Sequence, residues 1–195
     1  MIQIRTVEVA TELPVFLVDL TEIQPQLDLA REAIDELRIS HPESIFSNVK
    51  ANYVSPWHSH LINPKFKPLT ESVVTIAREV SKNHLSANLP GLNLDLVVTD
   101  CWGMIYETQN YTQKHNHFPA EFSCSIYLEA QEDSAPILFA GRLNVKPKKN
   151  LLVLFPGILV HEVPPTSGLR VVVAMNLNKM ATFSNYVKEE ESKKE

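Results

Sequence analysis

The chain has 195 residues, enough for one domain with a sizeable core, and its 44% hydrophobic and 21% charged content is that of a soluble globular protein. A net charge of −5, with no basic run beyond Lys146-Pro147-Lys148-Lys149, makes a nucleic-acid partner an unfavourable reading, and no stretch reaches the ~18 apolar residues of a membrane helix. Met1-Ile2-Gln3-Ile4-Arg5 lacks the charged-then-apolar pattern of a secretory leader, so the expected location is cytoplasmic. Cys101 and Cys124 lie in apolar segments and are expected as buried thiols rather than a disulfide.

Alternating apolar residues predict strands over 2–9 and 15–18. Leu27, Ala30, Ala33, Ile34 and Leu37 then recur at helical spacing behind Thr21, giving a helix from about 22 to 38. The segment 40–68 has several prolines and little periodicity, reads as a long loop, and is expected to act as a lid carrying Tyr53, Trp57, His58 and His60. Leu69, Val73, Val74, Ile76, Ala77, Val80 and Leu85 predict a second helix over about 68–87, ended by the turn 88–93. Strands follow at 94–100, 102–108, 122–129, 136–144, 151–156, 158–163 and 169–178. The fold class is therefore mainly β with flanking helices (α+β): a double antiparallel sheet, with two N-terminal helices packed on the outside. One domain is expected over 1–186, with helical support at 20–90, a barrel core at about 94–178, and a disordered charged tail at 187–195.

The chemistry concentrates at His115-Asn116-His117 and at His161 with Arg170. Histidines at i and i+2 of an extended strand project to one face, within reach of one ion. Pro164-Pro165-Thr166-Ser167-Gly168 is a turn signal between apolar runs, which predicts a hairpin of 158–163 with 169–177 and sets Arg170 opposite His161. On the last strand Arg170, Val172, Ala174 and Asn176 share the inward face, and Val171, Val173 and Met175 face outward beneath the helices. A guanidinium in so apolar a strand needs an anion: Glu162 or Glu121 in a salt bridge, or a bound dicarboxylate. Tyr127 reads either as a core aromatic or as a ligand contact, and Trp102 and Phe155 as packing. Trp57-His58-Ser59-His60 repeats the spaced-histidine pattern without a matching strand and reads as surface or lid.

His115-Asn116-His117, Ser123-Cys124-Ser125-Ile126-Tyr127-Leu128, Leu152-Val153-Leu154-Phe155-Pro156 and His161-Glu162-Val163-Pro164-Pro165 with Arg170, in that order, resemble the Fe(II)/2-oxoglutarate-dependent oxygenases of the prolyl-hydroxylase-like group. The nearest likeness is to bacterial and phage members, in which Ser47-Asn48, Trp57 and Trp102 also have counterparts; here Phe118 separates His117 from Pro119. The resemblance spans roughly 45–178 and rests on the ordered combination. It implies a jelly-roll, cupin-like double-stranded β-helix that hydroxylates an unidentified substrate, a small molecule or protein side chain, using Fe(II), 2-oxoglutarate and O2 and releasing succinate and CO2. It assigns His115 and His161 to the metal, and Arg170 with Tyr127 to the cosubstrate.

His117 departs from the pattern, standing where most of the superfamily has Asp or Glu. Three outcomes stay open: His117 ligates and makes a three-histidine site, water or an acid such as Glu121 takes the position, or activity has been lost. The competing functions are a three-histidine cupin-type dioxygenase without 2-oxoglutarate and an inactive jelly-roll binding module. A homodimer is left open.

Overall fold

The structure is a computed structural model, and it describes residues 12–45, 47–85 and 95–180 together with Arg5 and Val7. The strand expected over 2–9, the turn at 88–93 and the tail at 187–195 fall largely or wholly outside the described residues. In chain order the elements are β1 (Phe16–Asp19), α1 (Gln24–Ser40), β2 (Val49–Lys50), β3 (Tyr53–Val54), α2 (Ser59–Ile62), α3 (Lys67–Val80), β4 (Leu96–Tyr106), β5 (Tyr111–His115), β6 (Phe122–Ala130), β7 (Ile137–Phe139), β8 (Leu143–Val145), β9 (Leu151–Pro156), β10 (His161–Val163) and β11 (Arg170–Lys179). The strands form two antiparallel sheets, one ordered β1-β9-β6-β11-β4-β3 and one ordered β2-β5-β10-β7-β8.

The two helices cover the six-stranded sheet, as the parity of the last strand required. Helix α1 begins with Pro25, whose fixed φ suits a first turn where no N–H is needed, and it buries Leu27, Ala30, Ala33, Ile34 and Leu37. Helix α3 opens in the same way on Pro68 and buries Leu69, Val73, Ala77 and Val80. These stripes meet Val171, Val173, Met175 and Cys101 in one core, where each fully buried Leu, Ile or Val contributes roughly 1.5–3 kcal/mol. Gly103 on β4 has no side chain because Ile34 occupies that space: an added Cβ would collide with Ile34 Cγ1. Cys101 and Cys124 are free and buried.

A second core lies between the sheets and contains Val54, Trp102, Met104, Tyr106, Tyr127, Ile137, Phe139, Val153, Phe155, Val172 and Ala174. The side chains alternate between the two cores along β11, which is why that strand is apolar on both faces.

Several expectations are corrected. The runs 94–100 and 102–108 are one continuous strand, β4, and 136–144 is two short strands, β7 and β8, joined by a turn with Ala140 and Gly141 at positive φ. The second helix keeps α geometry only to Val80.

The segment 40–68 is not a free loop. Strand β3 pairs with β4, β2 pairs with β5, and so this stretch stitches the two sheets together at one edge. Tyr53 therefore belongs to the core and not to a lid, with its hydroxyl donating to the His41 carbonyl at 3.1 Å.

The hairpin expected between 158–163 and 169–177 does not form. Strand β10 pairs with β5 and β7 in one sheet, while β11 pairs with β4 and β6 in the other. Residues 164–169 cross between the sheets, held where Thr166 N donates to the Asn110 carbonyl (2.9 Å) and Gln109 N donates to the Thr166 carbonyl (2.8 Å). The residue opposite His161 is His115, and Arg170 instead faces Tyr106 and Ala130.

Candidate metal centre

His115 is the last residue of β5 and His161 the first of β10, directly opposed across an antiparallel pair. Such a pair brings both side chains to one face, and their ring centroids are 4.3 Å apart. His117 lies beyond the end of β5, not on it. A turn bends it back toward the others, with its N–H donating to the Gly157 carbonyl (2.7 Å) and its carbonyl accepting from Ala120 N (2.8 Å). Its centroid is 4.8 Å from that of His115 and 5.1 Å from that of His161. The turn can dock only because residue 157 is glycine; a Cβ there would strike the Ala120 carbonyl oxygen. Gly157 was not singled out in the sequence, where Phe155-Pro156-Gly157 reads merely as the end of a strand.

The three imidazoles offer ligand atoms that all lie within 4.8 Å of one another, and among the described residues no carboxylate or thiol joins the group. Glu121 is exposed and does not take part. His115 Nδ1 is 2.8 Å from the Gln113 carbonyl and His161 Nδ1 is 3.0 Å from the Leu159 carbonyl. A carbonyl only accepts, so each Nδ1 carries the proton and each Nε2 keeps a free lone pair, the tautomer a metal requires.

Burial also keeps the rings neutral. It drives the pKa of His117 down to about 3, with the neighbouring His161 and His115 adding to the effect. It drives His161 to about 4, aided by His115 and opposed by the bond to Leu159. His115 is lowered by burial as well, against the bond to Gln113. Phe155 and Phe139 pack on the His161 ring at centroid distances of 4.7 and 5.7 Å, and Trp102 lies 5.9 Å from the His117 ring.

Two cavities meet at these histidines. The inner cleft is narrow, about 40 Å³, and runs between the sheets past Met104, Tyr127 and Val172 to Arg170. The outer chamber, about 310 Å³, is walled by Trp57, Asp100, Trp102, Phe118 and Asn176, and shares His115 and His117 with the cleft. Arg170 is 2% exposed. Its Nη1 donates to the Ala135 carbonyl at 3.1 Å, its guanidinium lies 4.1 Å over the Tyr106 ring, and its Nε has no hydrogen-bond partner in the chain. Neither Glu162 nor Glu121 pairs with it, and no ion pair involves it among the described residues. A buried cation without an anion costs several kcal/mol, and a negative group at the end of the cleft would offset that cost. Tyr127, fully buried, lines the same cleft, with desolvation raising its pKa to about 12 so that it stays a neutral phenol.

The structure brings His115, His117 and His161 together and sets Arg170 on the same cleft, although through other strand pairings than the sequence suggested. Asp100, which lines the outer chamber, was not singled out in the sequence, because a single carboxylate in a predicted strand carries no spacing signal; Asn176, readable either as a cosubstrate contact or as a partner for a backbone group, lines the same chamber.

No protein-family model and no curated sequence matches the chain. Solved structures do. A prolyl-4-hydroxylase from Pseudomonas putida superposes with a TM-score of 0.62 at 14% identity, over 86% of this chain and 93% of that one. The fold is that of the prolyl-4-hydroxylases. A prolyl hydroxylase from Trichoplax adhaerens, in complex with a hypoxia inducible factor peptide fragment, matches with a TM-score of 0.59 at 14% identity, over 84% of this chain and 83% of that one. The viral collagen prolyl hydroxylase of Paramecium Bursaria Chlorella virus-1, in its 2OG complex, gives 0.55 at 14% identity, over 85% and 96% of the two chains. The likeness agrees with the jelly-roll expectation. Among the described residues no helix is long and apolar enough to cross a membrane.

Proposed function

We propose that the protein is an Fe(II)- and 2-oxoglutarate-dependent dioxygenase with an all-histidine metal site. The reading rests most on Arg170: an unpaired, buried guanidinium at the far end of a cleft whose near end is three neutral imidazoles. A metal cation at one end and a fixed cation at the other suit a linear dianion, and Met104, the most pliable side chain lining the slot, can give way to it.

His115, His117 and His161 would hold the metal, the first and last oriented by the Gln113 and Leu159 carbonyls. Bound there together, Fe(II) and 2-oxoglutarate would supply O2-dependent oxidation of a substrate C–H bond with release of succinate and CO2. Arg170 would grip the distal carboxylate through paired charge-assisted hydrogen bonds, with Tyr127 beside it. Phe139, Phe155 and Trp102 would keep bulk water from the reacting centre. The substrate would enter from the outer chamber, the cavity that also borders His115 and His117.

Among the described residues no carboxylate joins the three histidines, which favours a second reading, a three-histidine dioxygenase that attacks its substrate without a cosubstrate. The two separate in one experiment. Under anaerobic conditions, 2-oxoglutarate added to the Fe(II)-loaded protein should produce a visible charge-transfer absorption, and admitting O2 should then release succinate. Fe(II) binding with neither signal would leave the second reading in place.

A further inference from the structure

The outer chamber has a chemical character of its own. Asp100, on β4, turns its carboxylate into it, with Oδ2 accepting from Thr99 Oγ1 (2.9 Å) and from Asn176 Nδ2 (3.2 Å). Those two bonds fix the group, and Oδ1 lies 3.4 Å from His58 Nε2 on a largely exposed ring. Asn176 is itself more than nine-tenths buried, and its Oδ1 has no partner in the chain. A buried amide oxygen without a donor costs about 1–3 kcal/mol, so it marks a place where a donor is meant to arrive.

Next to these acceptors, Trp57 and Trp102 stack at 5.6 Å and 25°, presenting an aromatic face to the same space. Asn48 also lines the chamber, and its Nδ2, a donor, is likewise without a partner in the chain. Among the described residues no lysine or arginine lines the chamber.

We propose that this chamber recognises a cationic N–H group, a guanidinium or ammonium, on the substrate, and that the substrate is a basic amino acid, free or within a peptide. Asp100 Oδ1 and Asn176 Oδ1 accept its hydrogens, the tryptophan face flanks its charge, and Asn48 Nδ2 donates to a carbonyl or carboxylate at the other end. An anionic ligand would meet the Asp100 carboxylate, with no lysine or arginine among the described lining residues to offset it. A neutral ring without N–H donors would leave both acceptor oxygens unpaired. The proposal names the substrate class for the oxygenase reading above and rests on that reading for the chemistry, although binding can be read without it.

Trp57 and Trp102 serve as the reporter. Tryptophan fluorescence of the Mn(II)-loaded protein is titrated with free L-arginine and L-lysine, with an N-acetylated and amidated arginine peptide, and with citrulline as the neutral isostere of arginine. Saturable quenching is expected with a cationic probe and at least ~10-fold weaker with citrulline, the scale of one lost charge-assisted hydrogen bond. Whether the free amino acid or the peptide binds more tightly identifies the source. Asp100→Asn, which keeps the shape and removes the charge, should weaken the cationic probe by a similar factor, with the 2-oxoglutarate-induced thermal shift measured on the same sample to report an intact fold. Equal responses to arginine and citrulline, undiminished binding by Asp100→Asn, or no response to any cationic probe would each overturn the proposal. A cation response without any 2-oxoglutarate shift would instead sink the oxygenase reading and leave the chamber assignment standing.

Discussion

Replacing Arg170 by Met asks whether the buried guanidinium exists for the fold or for a ligand. In the metal-free protein the substitution removes the hydrogen bond from Nη1 to the Ala135 carbonyl, worth about 1.5–3 kcal/mol for a charged donor, and the stacking on Tyr106, worth about 2 kcal/mol when desolvated. Against this it abolishes the orphaned Nε, about 1–3 kcal/mol, and the desolvation of an unpaired charge, several kcal/mol more. Methionine fills much of the vacated space with a flexible chain. The balance is a variant at least as stable as wild type without ligand, whereas breaking a buried ion pair costs about 3–5 kcal/mol.

With Mn(II) and 2-oxoglutarate at about 100 times its dissociation constant, wild type should gain about 2.7 kcal/mol. For a chain of this length that is roughly 5–11 °C in melting temperature. Arg170→Met should show no such gain. Differential scanning fluorimetry of both proteins, with and without the dicarboxylate, decides the matter. A variant that melts far below wild type without ligand yet keeps its full response to 2-oxoglutarate would refute the reasoning, because Arg170 would then be a structural cation.

The remaining expectations concern the metal centre. The folded pKa values of His117 and His161 lie below the unfolded value of about 6.5, so the unfolded chain takes up protons first as pH falls, and metal-free stability is retained above 6.5 and lost below it, toward about 3 for His117 and 4 for His161. Between pH 7 and 5 that amounts to at most about 2 kcal/mol per histidine, measurable by urea titration; stability unchanged over this interval would mean that the rings are hydrated and not packed. His117→Ala should weaken metal binding by more than about 100-fold in calorimetry, and His117→Asp should retain it, since a short carboxylate completes a two-histidine, one-carboxylate set; equal affinities in His117→Ala and wild type would remove residue 117 from the centre. Gly157→Ala, by pushing the Ala120 carbonyl away, should displace the His117 turn and reduce the metal-induced rise in melting temperature, whereas a full metal response would show that the turn adapts.

Local order was legible in the chain because it is written in short-range periodicity. The stripe Leu27, Ala30, Ala33, Ile34 and Leu37 names the buried face of α1, the alternation along 169–178 names which residues of β11 face Arg170's side, and the boundaries 151–156 are those of β9. The ordered set of His115, His117, His161 and Arg170 was sufficient to point to the fold that the superposed prolyl-4-hydroxylase shares. Partnership between strands was not legible. Pro164 to Leu169 reads equally well as a tight turn or as a crossing between sheets, since both need residues that leave the ladder, and only the packing of Thr166 on Gln109 and Asn110 selects the crossing. That choice moves Arg170 from the neighbour of His161 to the far end of a cleft, and it puts His115 opposite His161. The joining of the three histidines, the Arg170 end of the cleft and the Asp100 chamber around one cluster of rings is decided by contacts between residues tens of positions apart, for which no local pattern exists in the sequence.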